Sequence, residues 1–215
     1  MGYEVDAHGV SIVVSARVHV YIPACSHVVI RTVTLLSQKG GSGKTTLSIN
    51  LAIAGALHDK SVVIIDLEPQ QSTARWARLR QRDNPVIVSG HGPNVADLVK
   101  RTKAGGADLV IIGTAPKSEN AALAAAKLAD VAVIPSQPSS LDLDAIADSV
   151  NIVHLAKKPA FFVLSNCRSS STLADEAADP LSDYGLPIAP VRVATRHTLV
   201  CEGACRGLGV FCVLK

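Results

Sequence analysis

Gln38-Lys39-Gly40-Gly41-Ser42-Gly43-Lys44-Thr45-Thr46 is the stretch that decides the fold of this 215-residue chain. It follows an apolar, β-branched run at residues 32–36 and opens an apolar helical pattern at residues 47–57. A strand, a glycine-rich turn and a helix in this order are typical of a phosphate-binding loop. The glycines let successive backbone N–H groups point at one phosphate, and the helix adds the positive end of its dipole.

Two side chains of this loop add chemistry that backbone amides lack. Lys44 can reach terminal phosphate oxygens, and the Thr45 hydroxyl can ligate Mg²⁺. A chance glycine-rich turn is the alternative interpretation, which the flanking strand and helix patterns disfavour. The loop residues expected to bind the phosphates of a nucleotide are Gly40, Gly41, Ser42, Gly43, Lys44, Thr45 and Thr46.

The composition favours one domain with a large core and weakens several other classes. Hydrophobic residues make up 48% of the chain and aromatic residues only 3%, a balance that suits buried parallel strands and their covering helices. The net charge of +3 does not by itself indicate nucleic acid. No apolar run reaches membrane-spanning length, and Glu4 and Asp6 stand where an export signal has positive charge, so we expect a cytoplasmic protein without membrane contact. Five cysteines without a repeated spacing predict unpaired thiols.

Strand and helix patterns alternate from residue 31 onward. Further strands are predicted at residues 61–65, 85–88, 109–112, 131–134 and 160–164. Further helices are predicted at residues 72–81, 94–103, 119–129 and 141–156. This alternation predicts an α/β fold, with a doubly wound, mainly parallel sheet flanked by helices and ligands at the carboxyl ends of its strands.

Residues 1–30 are the least readable part of the chain. Val13, Val18, Val20 and Ile22 suggest strand-like pieces, but no motif assigns them a role. We therefore predict an N-terminal extension over residues 1–30, a misplaced start being one explanation, and a nucleotide-binding domain over residues 31–215.

The loop K-G-G-S-G-K-T-T resembles the deviant Walker loop of the ParA/MinD family of ATPases, which are relatives of the nitrogenase iron protein. Gln38 stands where the ordinary loop begins with glycine, and Lys39 is an additional lysine. The resemblance covers roughly residues 31–195 and weakens after that. It implies a P-loop NTPase fold, ATP and Mg²⁺ as cofactors, and a homodimer in which Lys39 reaches the nucleotide of the partner.

The segment Asp66-Leu67-Glu68-Pro69-Gln70 is similar to the family's D-x-D-P-Q switch. The resemblance implies that Glu68 positions the water that attacks the γ-phosphate, and that Asp66 supports the magnesium shell or the loop. Glu68 is longer than the usual Asp, and the extra methylene could displace that water and slow turnover. An acid at a strand end is also a common helix cap.

The main departure from the family is at Gly113. Family members carry Asp at this strand end, as in I-I-D-T-A-P, whereas this chain has Ile111-Ile112-Gly113-Thr114-Ala115-Pro116. Asp108, at the other end of the strand, cannot replace that carboxylate. Losing an outer-shell acid commonly costs about ten- to a hundredfold in metal affinity or activity, so ATP binding is better supported than hydrolysis.

Weaker similarities complete the site. Residues 135–142 look like the family's P-x-x-P-S-x-L-D segment near the nucleotide, and their plainer interpretation is a proline-stiffened turn. Asn166 and Arg168 stand where family members contact the adenine ring. Arg75, Arg78 and Arg82 recur at helical spacing around Trp76 and could contact DNA phosphates or a partner protein, although a solvated helix face is the commoner explanation.

The resemblance implies a ParA-like ATPase that acts in partition of plasmid or chromosomal DNA with a DNA-bound, ParB-like adaptor. Nonspecific DNA is a further candidate partner. Two alternatives stay open: a MinD-like ATPase that positions cell components, and a nucleotide-binding switch that does not turn over because Gly113 replaces the acid.

Overall fold

The fold is described here from a computed structural model. It gives the backbone of residues 5–6, 9–15, 18–23 and 213–214. It gives backbone and side chains of residues 31–70, 72–78, 82–138, 143–167 and 172–194. Every statement below concerns these residues.

One large sheet organises the chain. Its strands are β4 (Thr32–Leu35), β5 (Val62–Asp66), β6 (Val86–Ser89), β7 (Leu109–Gly113), β8 (Val131–Ser136), β9 (Ala160–Cys167), β10 (Ile188–Ala194) and β11 (Val213–Leu214). Their order across the sheet is β11-β10-β9-β8-β4-β7-β5-β6. Neighbours from β10 to β6 run parallel, and β11 pairs antiparallel with β10. The predicted doubly wound, mainly parallel sheet is confirmed.

The helices lie between the strands, as right-handed crossover connections require. They are α1 (Lys44–Leu57), α2 (Ser72–Ala77), α3 (Val95–Ala104), α4 (Glu119–Leu128), α5 (Leu143–Ala156), α6 (Leu173–Glu176) and α7 (Ala178–Ser182). A 3₁₀ turn, Gly92–Asn94, precedes α3. Among the described residues, no helix combines the length and apolar character needed to cross a bilayer.

Both faces of the sheet are buried, which explains why its strands are continuous apolar runs. Along β5, Val62 and Ile64 pack in a cluster with Leu47 and Ala52 of α1. The alternate residues Val63 and Ile65 pack in a second cluster that includes Val95 and Val99 of α3. The same alternation carries Ala132 and Ile134 of β8 into a third cluster with the apolar side of α5.

The N-terminal residues include three strands, β1 (Val5–Asp6), β2 (Gly9–Ser15) and β3 (Val18–Pro23). They pair antiparallel with one another in a separate sheet of order β1-β2-β3. The strand-like pieces expected from Val13, Val18, Val20 and Ile22 are therefore present. The domain boundary at residue 31 stays a prediction.

The ends predicted from the sequence agree with the observed ends of most strands and helices to within three residues. The differences have local causes. Helix α1 begins at Lys44 rather than at residue 47, because Gly43 is its N-cap. Helix α2 ends at Ala77, and Arg82 lies outside it in the approach to β6, so the predicted helix over residues 72–81 is too long where it is described. Residues 79–81 lie outside the described part. Elements α6, α7 and β10 were not predicted.

The contact of α1 with the sheet depends on Gly55. A Cβ atom on Gly55 would lie 2.9 Å from Cγ2 of Val62 and 3.2 Å from Cδ2 of Leu109. Distances below 3.0 Å force atoms to move, and a packed core transmits such strain because it has few voids.

We expect Gly55→Ala to destabilise the protein by about 1–2 kcal/mol, although Gly→Ala in a helix interior normally stabilises it by about 0.5–1 kcal/mol. Urea unfolding followed by circular dichroism measures the change. Gly105→Ala is the matched control, because a Cβ there meets only ordinary contacts at 3.4 Å. Equal stability of the two variants would contradict the close approach of α1 to β5 and β7.

Candidate functional site

The predicted phosphate loop connects β4 to α1 at the carboxyl end of the sheet, where the loops after the other parallel strands also gather. Gly41 and Gly43 have φ angles of 73° and 99°, in the left-handed region that side-chain-bearing residues rarely adopt. The Leu47 N–H donates to the Gly43 carbonyl at 2.8 Å, so the helix starts directly from the loop. The first turn of α1 therefore faces the concave side of the loop, as phosphate binding requires.

Lys44 is buried, with 7% of its surface exposed, and its ammonium group lies inside the curl of the loop. Its Nζ atom donates to the carbonyl oxygens of Ser37 and Lys39, both at 2.9 Å. Burial lowers the pKa of Lys44 to about 8, and the nearby Glu68 carboxylate partly opposes that shift. A desolvated ammonium held by neutral carbonyls gains most from an anion, so this arrangement suits a phosphate ligand.

The loop is held from outside by three side chains to which the sequence assigned no individual role. The Ser165 hydroxyl donates to the Ser42 carbonyl at 2.7 Å, and the Gln137 amide donates to the Gly41 carbonyl. The Gln38 N–H donates to the Ser149 hydroxyl at 3.1 Å. These side chains come from β9, from the loop after β8 and from α5. They fix the loop to the carboxyl ends of its neighbours, and only Gln137 lay in a segment expected near the nucleotide.

Gly43 lies against Ser165. A Cβ atom on Gly43 would lie 3.2 Å from Oγ and 3.4 Å from Cβ of Ser165. The close approach and the positive φ angle both require glycine here, so Ser165 and Gly43 form one contact.

The two predicted acids after β5 have different surroundings. Asp66 is 4% exposed, and its oxygens accept hydrogen bonds from the Glu68 N–H at 2.9 Å and from the N–H and hydroxyl of Thr73. It therefore caps the start of α2 and holds the loop that carries Glu68. Glu68 is half-buried, and its Oε2 accepts a hydrogen bond from the Thr45 hydroxyl at 3.5 Å. Of the two acids, Glu68 is therefore the one hydrogen-bonded to Thr45, the predicted magnesium ligand.

Gly113 lies at the end of β7, paired with Asp66 of β5. A Cβ atom here would meet Oγ of Ser48 at 3.7 Å and the Ile65 carbonyl oxygen at 4.0 Å, both ordinary contacts. Oγ of Ser48 is buried without a hydrogen-bond partner in the described structure. Position 113 therefore accepts a Cβ atom without a close contact, and the Ser48 hydroxyl lies beside it. Asp108, as expected, is at the other end of β7, where it accepts from the Ser61 N–H.

The donor set fits a magnesium ion shared with phosphate. Among the described residues there is no group of three or more His, Cys, Asp or Glu side chains that could hold a metal by themselves. Thr45 and Glu68 instead supply one hydroxyl and one carboxylate beside the loop. Mg²⁺ accepts such sets, because it commonly uses one or two carboxylates together with substrate phosphates and waters.

The remaining predicted residues differ in exposure, and some lie outside the described part of the chain. Gly40 and Thr46 are exposed at the loop, and Lys39 is half-buried beside it. Asn166 is exposed near the end of β9 with a φ angle of 55°, next to Ser165. Arg75, Arg78 and Arg82 are exposed. Arg168 and residues 139–142 lie outside the described residues, as do Cys201, Cys205 and Cys212.

Comparisons with known proteins agree with this geometry. The family model of the CobQ/CobB/MinD/ParA nucleotide binding domain matches residues 33–209. The maintenance of carboxysome distribution protein A of Gloeobacter kilaueensis is 33% identical over 169 residues, which are 73% of this chain and 73% of that protein. The chromosome-partitioning ATPase Soj of Thermus thermophilus is 29% identical over 147 residues, 55% of this chain and 59% of that protein.

A solved structure shares the fold at lower identity. Cobyrinic acid a,c-diamide synthase of Mycobacterium smegmatis, with bound ADP and magnesium, superposes with a TM-score of 0.58 at 18% identity. The match covers 72% of this chain and 82% of that protein.

The external support of the loop leads to a prediction for Ser165. Ser165→Ala removes the hydroxyl that donates to the Ser42 carbonyl, and a buried hydrogen bond contributes about 0.5–1.5 kcal/mol. We expect a loss of about 1–2 kcal/mol in unfolding free energy and severalfold weaker binding of a fluorescent ATP analogue. Ser182→Ala, which removes a hydroxyl bonded to the Asp179 carbonyl far from the loop, should leave binding unchanged. Unchanged nucleotide affinity in Ser165→Ala would show that the loop does not need this support.

Proposed function

Because the chain belongs to the CobQ/CobB/MinD/ParA nucleotide-binding domain family, we propose that it is a ParA-type ATPase that binds Mg-ATP and forms a homodimer around the nucleotide. Its cellular role in this proposal is to distribute a large cargo with the help of an adaptor. The observation that carries the proposal is the loop closed around Lys44, with a second lysine, Lys39, in the same loop.

Different groups of the site bind the phosphates, the magnesium ion and the adenine ring. The backbone of residues 40–46 and the Lys44 ammonium neutralise and orient the phosphates. Mg²⁺, when bound, would offset charge on the phosphate oxygens, and Thr45 is the hydroxyl placed to hold it. Lys39 reaches the nucleotide of the partner subunit, and Asn166 and Arg168 contact the adenine ring.

Glu68 orients the attacking water in this proposal, and Asp66 supports Glu68 from behind. The support is direct, since an Asp66 oxygen accepts the Glu68 N–H. Orienting a water needs only a carboxylate at the right position. Turnover is slow in this proposal, because Gly113 supplies no acid at the end of β7.

The names of the relatives support the proposed cargo. Soj of Thermus thermophilus is named for chromosome partitioning, which supports partition of plasmid or chromosomal DNA with a DNA-bound, ParB-like adaptor. The exposed Arg75, Arg78 and Arg82 give such a protein cations for nonspecific DNA phosphates. All of these steps take place in the cytoplasm.

A second candidate is positioning of a protein assembly. It is favoured by the 33% identical relative, which is named for carboxysome distribution. This candidate corresponds to the alternative of a MinD-like ATPase that positions cell components. Deleting the gene in its host separates the candidates: loss of plasmid or chromosome inheritance supports DNA partition, and irregular spacing of a protein assembly supports the second candidate.

The two loop lysines allow a sharp test of nucleotide binding and dimerisation. We expect Lys44→Ala to weaken ATP binding at least about a hundredfold, because it removes a desolvated, charge-assisted contact to phosphate worth about 3 kcal/mol or more. Lys39→Ala should keep ATP binding within about threefold and lose ATP-dependent dimerisation. Isothermal titration measures binding, and light scattering after gel filtration measures the dimer.

Lys39→Ala is the control for Lys44→Ala. The Lys39 backbone carbonyl accepts a hydrogen bond from the Lys44 ammonium group, and Lys39→Ala leaves that carbonyl in place. Tight ATP binding by Lys44→Ala would contradict the proposed site. An ATP-dependent dimer of Lys39→Ala would contradict the role of Lys39 across the interface.

A further inference from the structure

The carboxylates near the loop are not equivalent. Gly113 supplies none, and Asp66 is buried and accepts hydrogen bonds from the Glu68 N–H and from the N–H and hydroxyl of Thr73. Within the described part of the chain, the half-buried Glu68 carboxylate accepts a single side-chain hydrogen bond, from Thr45. Of the two acids, Glu68 is therefore the better placed to bind a cation beside Thr45.

The position of Glu68 relative to Thr45 suits two ligands of one ion. Their oxygens, Oε2 and Oγ1, are 3.5 Å apart. Adjacent oxygens on an octahedral Mg²⁺ are about 2.9 Å apart and opposite oxygens about 4.1 Å, given metal–oxygen distances of about 2.0–2.1 Å. The observed separation lies between these values, so a small side-chain rotation brings both oxygens onto one ion.

We propose that Glu68 is a direct magnesium ligand in this protein and takes over the metal-facing role of the acid that Gly113 lacks. The inference rests on the proposed function, since it concerns the ion bound with ATP. It assigns Glu68 a second duty beside that of orienting water. Asp66 is then a positioning residue, because it fixes the backbone of Glu68 rather than binding the ion.

The length of the side chain is the structural reason for this assignment. Glu68 follows β5 at a point where its backbone is tied to Asp66, so its reach toward Thr45 comes from its two methylene groups. An aspartate at this position would be one methylene shorter and would withdraw from Thr45. The longer acid and the missing acid therefore compensate for one another.

The structure also shows how the usual arrangement could be restored. A side chain at position 113 has room, with nearest contacts at 3.7 and 4.0 Å, and Oγ of Ser48 is an unused buried donor beside it. Ser48 lies one helical turn beyond Thr45 on α1, so both hydroxyls face the same side of the helix. Gly113→Asp should thus add a carboxylate near the ion without a clash.

The test measures Mn²⁺ binding to the complex of the full chain with ADP, using the free Mn²⁺ signal in electron paramagnetic resonance. We expect Glu68→Gln and Glu68→Asp each to weaken Mn²⁺ binding about ten- to a hundredfold. Metal-free ADP affinity should stay within about twofold. Combining Gly113→Asp with Glu68→Asp should restore Mn²⁺ affinity to within about threefold of the native chain.

Glu176→Gln is the matched control, since Glu176 also accepts a threonine hydroxyl, from Thr172 at 2.7 Å, but belongs to α6 and not to the site. It should leave Mn²⁺ affinity unchanged. Circular dichroism confirms folding of each variant, and the conservative Glu68→Asp serves if Glu68→Gln does not fold.

Three results would overturn the inference. Mn²⁺ affinity unchanged in Glu68→Gln or Glu68→Asp, with ADP bound normally, removes Glu68 from the ion while the proposed function stands. Weakened Mn²⁺ binding that Gly113→Asp fails to restore in the double variant contradicts the compensation. If the native chain binds neither ATP nor ADP, the proposed function fails and the inference fails with it.

Discussion

A buried ammonium group in a glycine-rich loop is the constraint on which the rest of the site depends. Within the described structure, Lys44 is removed from water, donates to two neutral carbonyls and feels the charge of the Glu68 carboxylate. Such a group can be kept only where the backbone is fixed around it. The loop meets this need because it follows the central strand β4 and is hydrogen-bonded to three neighbouring side chains. These are Gln137 after β8, Ser165 of β9 and Ser149 of α5.

The elements of the fold were predictable because their signals are local. An apolar run of four to six residues with a glycine or a charged turn on each side indicates a buried strand wherever it stands. The loop partners were not predictable, because they are distant in sequence. Ser165 is 123 residues from Ser42, and nothing in the sequence around Ser165 marks its hydroxyl as a donor to the loop. Only the order β9-β8-β4 in the sheet brings the end of β9 close to the loop after β4 and creates that contact.

Asp66 shows how two interpretations of one residue can hold together. Its position after a strand suggested either a helix cap or a support for magnesium. The Asp66 carboxylate accepts a hydrogen bond from the Thr73 N–H at the start of α2. The same carboxylate accepts the Glu68 N–H and so fixes the Glu68 backbone. A cap that also orients the neighbouring acid gives the site rigidity. The sequence could identify the acid pair but not divide the two tasks between its members.

The two departures from the family pattern are best understood as a pair. Taken alone, Gly113 removes charge from the magnesium site and Glu68 moves a carboxylate away from the position of a water-orienting aspartate. Together they keep one carboxylate near Thr45, since the longer side chain reaches the hydroxyl that a shorter one would not. An anion that binds the ion tightly is less free to orient water, so the proposed compensation would favour a long-lived nucleotide complex over rapid hydrolysis. Slow turnover would in turn lengthen the lifetime of the proposed nucleotide-bound dimer.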